Sequence, residues 1–160
     1  MTIYLAADHT GVALKRSLIE SIKGLGYEAV DLGAEQVTPG DDYPDFVTPC
    51  AERVAAEQGA RGIVIGGSGH GEAMAANRVR GVRAATFYGP RAPLGELESE
   101  GTHPGDVYDI VRIARMHNDA NVLSLGARFV SLEEAVAAVR VFLDTPFSQE
   151  ERHIRRITKF

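Results

Sequence analysis

The 160-residue chain reads as an α/β protein: a single three-layer α/β/α domain over 1–160, Rossmann-like, on a five-stranded parallel sheet. Three observations carry that expectation. Short apolar runs alternate five times with segments of helical periodicity. Loops rich in glycine, proline and acidic residues separate them, and the length suits one domain with a sizeable core. Such alternation predicts helices on both faces and ligands gathered beyond the carboxyl ends of the strands.

The elements follow in order. Residues 2–7 form an apolar strand opened by Thr2, Ile3 and Tyr4, and it ends in Asp8-His9-Thr10-Gly11. Leu14, Leu18, Ile22 and Leu25 recur at helical spacing until Gly24 and Gly26 stop the helix; Thr10 is its candidate cap. Residues 27–32 make a second strand, and a loop over 33–44 leads to a helix from about Asp45 with Phe46, Val47, Cys50 and Val54 inward. Ile63-Val64-Ile65 is a buried third strand, followed by a glycine turn and an alanine-rich helix; 82–88 is a fourth strand. The stretch 89–106, with three prolines, four glycines and Glu96, Glu98, Glu100 and Asp106, is too long for an ordinary connection and reads as an insertion. Val107, Ile110, Val111 and Ala114 restart a helix that ends near His117-Asn118, before a fifth strand at 121–125. Ser131 with Glu134 predicts a capping box over a stripe of Leu132, Val136, Val139 and Leu143; Ser148 with Glu151 predicts a second, opening a helix with Arg152, Arg155, Arg156 and Lys159.

Composition removes several classes. A net charge of -5 argues against general binding of nucleic acid or anionic membranes. No apolar run approaches the roughly 20 residues of a membrane helix, and no secretory signal pattern opens the chain. One cysteine, Cys50, has no internal partner and apolar neighbours, which predicts a core thiol and a reducing, cytoplasmic setting. The five histidines show no paired ligand spacing, so no metal is expected and a metal-dependent hydrolase is disfavoured.

The most informative stretch is Gly66-Gly67-Ser68-Gly69-His70-Gly71-Glu72. A phosphate loop needs Lys-Ser/Thr after its last glycine, and Glu72-Ala73 stands there instead. The dinucleotide fingerprint fails as well, because Glu72 occupies its last small position and no acid closes the following strand. What remains is a set of amide donors, the Ser68 hydroxyl and one carboxylate. That set suits proton abstraction alpha to a carbonyl, with Glu72 as a base whose ionised form the first helical turn favours. The plainer alternative is a tight turn whose glutamate only complements the helix dipole.

Asp8-His9, the 66–72 loop, Tyr43-Pro44 after Asp41-Asp42, His117-Asn118-Asp119-Ala120-Asn121 and Arg152-His153-x-x-Arg156 together resemble the ribose-5-phosphate isomerase B family, which includes galactose-6-phosphate isomerase subunits. The resemblance spans the chain except about 89–106. It implies an aldose–ketose isomerase of sugar phosphates, without metal or other cofactor, working through an enediolate. Glu72 would be the base; in another branch a cysteine at the position of Gly66 does that work. Ser68 with the amides of Gly67, Gly69 and Gly71 would stabilise the enediolate oxygen. Asp8 and His117 would open the sugar ring, Asn118 would bind hydroxyls, and His9, Arg152, Arg156 and Arg128 would hold the phosphate. The resemblance also implies a homodimer, with a tetramer as the alternative, whose active sites take His117 and Asn118 from the neighbour.

Ribose 5-phosphate and ribulose 5-phosphate are the leading substrate pair. The rivals are a tetrose phosphate (for example erythrulose 4-phosphate), a hexose phosphate, or a non-catalytic phosphate- or nucleotide-binding module. Each basic residue also has a structural alternative: Arg152 and Arg156 as a solvated helix end, His117 as a helix C-terminal cap. His70 and His103 read as surface residues. The 89–106 insertion is expected away from the Arg152/Arg156 end, as a specificity element, a subunit contact or a tolerated loop.

Overall fold

The computed structural model describes residues 1–95 and 105–159. In chain order the elements are β1 (Thr2–Ala7), α1 (Val12–Gly24), β2 (Glu28–Asp31), α2 (Pro44–Ala56), β3 (Arg61–Gly66), α3 (His70–Ala76), β4 (Ala84–Phe87), α4 (Asp109–Asn118), β5 (Val122–Gly126), α5 (Leu132–Asp144) and α6 (Glu151–Ile157). The five strands pair in the order β2-β1-β3-β5-β4, all parallel, with Leu5 opposite Ile63 and Ile65 opposite Leu125. The expected α/β architecture is what the chain adopts.

The central strands are apolar along their whole length because both faces are covered. Ile3, Leu5, Ile63, Ile65, Leu123 and Leu125 face a layer that includes Leu18 and Ile22 of α1, Val111 of α4 and Phe142 of α5. The alternate residues Tyr4, Ala6, Val64 and Val122 face Val47, Cys50 and Val54 of α2 and Ala76 of α3. Cys50 is fully buried, and burial pushes its thiol up to about 12, as a core residue requires. Among the described residues no helix is long and apolar enough to cross a membrane.

This strand order decides where a ligand can sit. From β1 the chain moves outward to β2 and then returns to lay β3 on the other side of β1. The loops after β1 and β3 therefore diverge, and the crevice between them is the topological switch point of the sheet. Asp8-His9 leaves β1 and the glycine loop leaves β3, so both open onto this crevice.

Several local expectations are corrected. The buried stripe of α5 is Ala135, Ala138, Val139, Phe142 and Leu143; Leu132, the first helical residue, is 43% exposed, and Val136 is half-buried. The stripe is rotated because the small alanines, not the larger Leu132 and Val136, let α5 lie close to its neighbours. Thr10 does not cap α1; Gly11 holds the cap position and Thr10 turns to Asp8. Ser148 forms no capping box with Glu151, because α6 starts two residues later, at a Glu150 cap, and Ser148 Oγ is engaged by the Glu150 N–H and His153. Val107 precedes α4, and Ile110 is exposed. Of the insertion, Glu96, Glu98, Glu100 and His103 lie outside the described residues; its described ends leave the carboxyl edge of β4, joined by an Arg91 N–H to Val107 carbonyl bond of 2.8 Å.

The Ser131–Glu134 capping box is present in both directions: Ser131 Oγ accepts the Glu134 N–H at 3.2 Å and Glu134 Oε2 accepts the Ser131 N–H at 2.8 Å. Ser131→Ala is expected to lower stability by about 1 kcal/mol. Denaturant titration checks this, and an unchanged midpoint would mean that α5 is held by packing alone.

Candidate active site

The carboxyl end of β3 runs into α3 through Gly67, Ser68 and Gly69. Gly69 takes φ +77° at the helix cap, a left-handed conformation that a side chain would strain, and its carbonyl accepts the buried Ser124 hydroxyl at 2.6 Å. This bend folds α3 back so that Glu72 points at the loop it came from. A Cβ added to Gly66 would sit 1.8 Å from Glu72 Oε1. The carboxylate thus occupies the volume that any side chain at position 66 would need.

Glu72 is only 4% exposed. Burial raises its pKa above the ordinary carboxylate range, and the negative Asp8 adds to the rise. Hydrogen bonds from the N–H groups of Glu72 itself and Gly69, with His70 nearby, oppose it without cancelling it. The helix-dipole expectation of a favoured ionised form is corrected: desolvation outweighs the dipole. A base with a raised pKa is better matched to proton transfer near neutral pH than an ordinary carboxylate.

Asp8, His9, Thr10, Tyr43, Gly67, Ser68, Gly71, Glu72, Arg128 and Phe129 line one cleft of about 390 Å³ at the switch point. Asp8 Oδ1 accepts the Thr10 N–H at 2.9 Å and the Thr10 hydroxyl at 2.5 Å. Asp41 reaches in from the 33–44 loop: its Oδ1 lies 2.5 Å from His9 Nδ1 and accepts the His9 N–H at 3.1 Å. Its Oδ2 is buried without a hydrogen-bond partner among the described residues. Asp8, His9 and Asp41 each bring one donor atom within 4.8 Å of the others, although Nδ1 and Oδ1 of that trio already bond each other. The guanidinium of Arg128 lies over Gly67, and the Tyr43 ring packs where Gly71 has no side chain. Asp41 and Tyr43 both stand in the Asp41-Asp42-Tyr43-Pro44 stretch that carries the resemblance, but nothing in spacing ties Asp41 to a histidine 32 residues away.

The structure divides the remaining site residues from these. α4 precedes β5, so its last residues, His117 and Asn118, lie at the amino edge of the sheet. There Arg83, just ahead of β4, donates to the Asn118 and Asp119 carbonyls. α6 packs on α4 and carries Arg152 and Arg156 to the same end. Six-residue β3 alone separates the two edges by roughly 16 Å at a strand rise of about 3.3 Å per residue. Within one chain, His117, Asn118, Arg152 and Arg156 therefore do not reach Glu72. His117 does not cap its helix; Asp119 takes that position with φ 44°. The His117 pKa is lowered, first by burial and then by neighbouring His153, Arg152 and Arg156, with Glu150 opposing. Exposed His70 lies 5.3 Å from the Tyr88 ring, and Tyr88 is 6.4 Å from Phe129.

Both the sequence and the fold of this chain match known proteins. The sequence fits the family described as Ribose/Galactose Isomerase over residues 3–92 and 106–160, and the chain belongs to that family. It is 40% identical to ribose-5-phosphate isomerase B of Mycobacterium tuberculosis over 157 residues, covering 98% of this chain and 86% of that protein. Among solved structures, ribose-5-phosphate isomerase B from Mycoplasma genitalium with bound ribulose 5-phosphate superposes with a TM-score of 0.84 at 37% identity, covering 99% of this chain and 92% of that one. The enzyme from Clostridium thermocellum gives the same score and identity, covering 99% and 94%. The family match leaves out 93–105, most of the insertion.

A pKa raised by folding means that the folded state disfavours ionised Glu72. Below the ordinary carboxylate range the group is protonated in both states, so the penalty is absent; it grows as pH rises through the raised value. Glu72→Gln is therefore expected to raise thermal stability at about pH 8 and to lose that advantage towards about pH 4.5. Melting curves across this interval decide it; an equal gain at both ends would assign the effect to packing.

Proposed function

We propose that this chain is an aldose–ketose isomerase of phosphorylated sugars that interconverts ribose 5-phosphate and ribulose 5-phosphate without a metal. The observation that carries the reading is the buried Glu72 carboxylate held against a turn of amide donors, beside Asp8 and His9. A pure phosphate binder has no use for that carboxylate. The substrate assignment is supported by the names of the relatives and by ribulose 5-phosphate in the Mycoplasma genitalium structure.

In this mechanism Glu72 removes the proton from C2 of the open-chain aldose and returns it to C1, while the hydroxyl proton on O2 passes to O1, so that the C1 carbonyl becomes a hydroxyl and C2 the new carbonyl. The negative charge that develops on the carbonyl oxygen is stabilised by Ser68 Oγ and the amides of Gly67, Gly69 and Gly71, with the Gly69 N–H also holding the base. Asp8 and His117 serve ring opening, Asn118 binds hydroxyls, and His9, Arg128, Arg152 and Arg156 hold the phosphate. His9 is oriented for that task by Asp41. Charge-assisted bonds from guanidinium groups suit a dianion.

The complete site is formed between two copies of the chain, each a single domain over 1–160. A homodimer would bring the amino edge of one sheet, with its His117, Asn118, Arg152 and Arg156, to the switch-point cleft of the other. The separation of the two residue groups within one protomer supports this assembly. A cytoplasmic location goes with it, in keeping with a lone, buried thiol. The described ends of the 89–106 insertion leave the carboxyl edge of β4, on the cleft side of the sheet, which fits a specificity element or a subunit contact.

Chelator-treated protein assayed on four-, five- and six-carbon sugar phosphates is expected to prefer ribose 5-phosphate and to incorporate solvent deuterium at the transferred position. Glu72→Gln should reduce turnover by about a hundredfold or more. Near-normal turnover in that variant, or activity that needs an added metal, would refute the mechanism.

The shared site has its own check. Glu72→Gln and His117→Ala homodimers should each be nearly inactive. Dissociated and reassociated together, half of the dimers would carry one intact site, so about a quarter of the parent activity should return. No recovery in a mixture proven to contain heterodimers would place each site within one chain.

A further inference from the structure

His153 is the one strongly buried histidine on a helix otherwise crowded with exposed cations, and nothing in the mechanism above uses it. It is 1% exposed. Its ring stacks on His117 with centroids 4.3 Å apart and planes at 27°. Its Nδ1 lies 2.7 Å from Ser148 Oγ. Ser148 is itself anchored: its N–H donates to the Met116 carbonyl at 3.2 Å, next to His117, and its Oγ accepts the Glu150 N–H at 3.3 Å. With the Glu150 N–H filling one acceptor site of that oxygen, the hydroxyl hydrogen is available to Nδ1.

We propose that Ser148 and His153 are a positioning pair for His117, fixing its imidazole plane and linking it to the helix that carries Arg152 and Arg156. The inference rests on the assignment of His117 to ring opening. It adds two residues that touch no substrate and act through His117. The last turn of α4 and the first turn of α6 are joined at three levels: a backbone bond through Ser148, a side-chain bond from Ser148 to His153, and the ring stack. Phosphate gripped by the α6 arginines would then bring the sugar ring to a His117 already in register. Holding a general acid–base group in one orientation is worth a large factor in rate, because a small misplacement is costly.

Among the described residues, the charged groups acting on His117 include Arg152 and Arg156 of α6 and, opposing them, Glu150 at its cap. Glu150 is held by Arg152 Nε at 2.7 Å and stands 3.9 Å from His153 Nδ1. Replacing His153 by phenylalanine keeps an aromatic plane under His117 and removes only the bond to Ser148. Replacing it by alanine removes both, and Ser148→Ala frees the His153 ring to turn.

Two readouts test the pair. In proton NMR of the intact protein, the His117 ring resonance should shift in His153→Ala and much less in His153→Phe. In kinetics, His153→Ala and Ser148→Ala should lose roughly tenfold or more in kcat/KM on ribose 5-phosphate. The loss should be several-fold smaller on a four-carbon aldose 4-phosphate, which has no free hydroxyl placed to close a ring, and His153→Phe should recover much of it. Losses equal on both substrates, or an unmoved His117 resonance in His153→Ala, would overturn the inference and leave His153 as helix packing. His117→Ala separates the two claims. If it is equally damaging on both substrates, the ring-opening assignment falls. If it is selective while the His153 and Ser148 variants match the parent, only the positioning pair falls. Should His153→Ala not fold, Ser148→Ala and His153→Phe carry the same comparisons.

Discussion

A carboxylate buried where a side chain is missing is the constraint on which the site depends. Glu72 can approach the end of β3 only because position 66 has no Cβ. It stays there because the left-handed turn at Gly69 brings α3 back over the strand. Desolvating an acid is costly, and two amide hydrogen bonds offset that cost only in part, which is why the pKa stays raised. The fold thus gives up some stability at the glycine turn and holds there a carboxylate whose pKa lies above the ordinary range. The same geometry gives a physical reason for the branch of the family that has cysteine at this place: a thiol on position 66 and a carboxylate from position 72 claim one volume.

Parallel topology imposes the second constraint. In a doubly wound sheet, each strand ends at the ligand-bearing edge and each helix returns the chain to the opposite one. Residues at the carboxyl ends of strands and residues at the carboxyl ends of the returning helices therefore cannot meet in one protomer. Glu72, Asp8 and His9 belong near the first edge; His117 and Asn118 belong to the second. The homodimer proposed above is what would unite them.

Around His117 the chain uses burial for a different end. Two stacked imidazoles, a serine hydroxyl and an acid–arginine pair occupy the seam between α4 and α6. Burial and neighbouring positive groups depress the His117 pKa, whereas burial raises that of Glu72. The same physical cause, desolvation of the charged form, moves the two groups in opposite directions because one is an acid and the other a base.

Much was legible before any coordinates. Alternating apolar runs defined the strands, because buried parallel strands have no polar face, and the glycine turn with Glu72 marked the end of β3. The Ser131–Glu134 box was readable because capping is local chemistry over four residues. What tertiary structure decided is whatever depends on distance through space. The His9–Asp41 bond joins residues 32 apart, and the apparent Ser148 cap gave way to a contact with His153 once α6 packed on α4. The stripe of α5 turned to bury alanines, because close approach of helix to sheet rewards small residues over large ones. The rise in the Glu72 pKa follows the same rule: the sequence places the carboxyl in a helical turn, but only packing decides how much water is left around it.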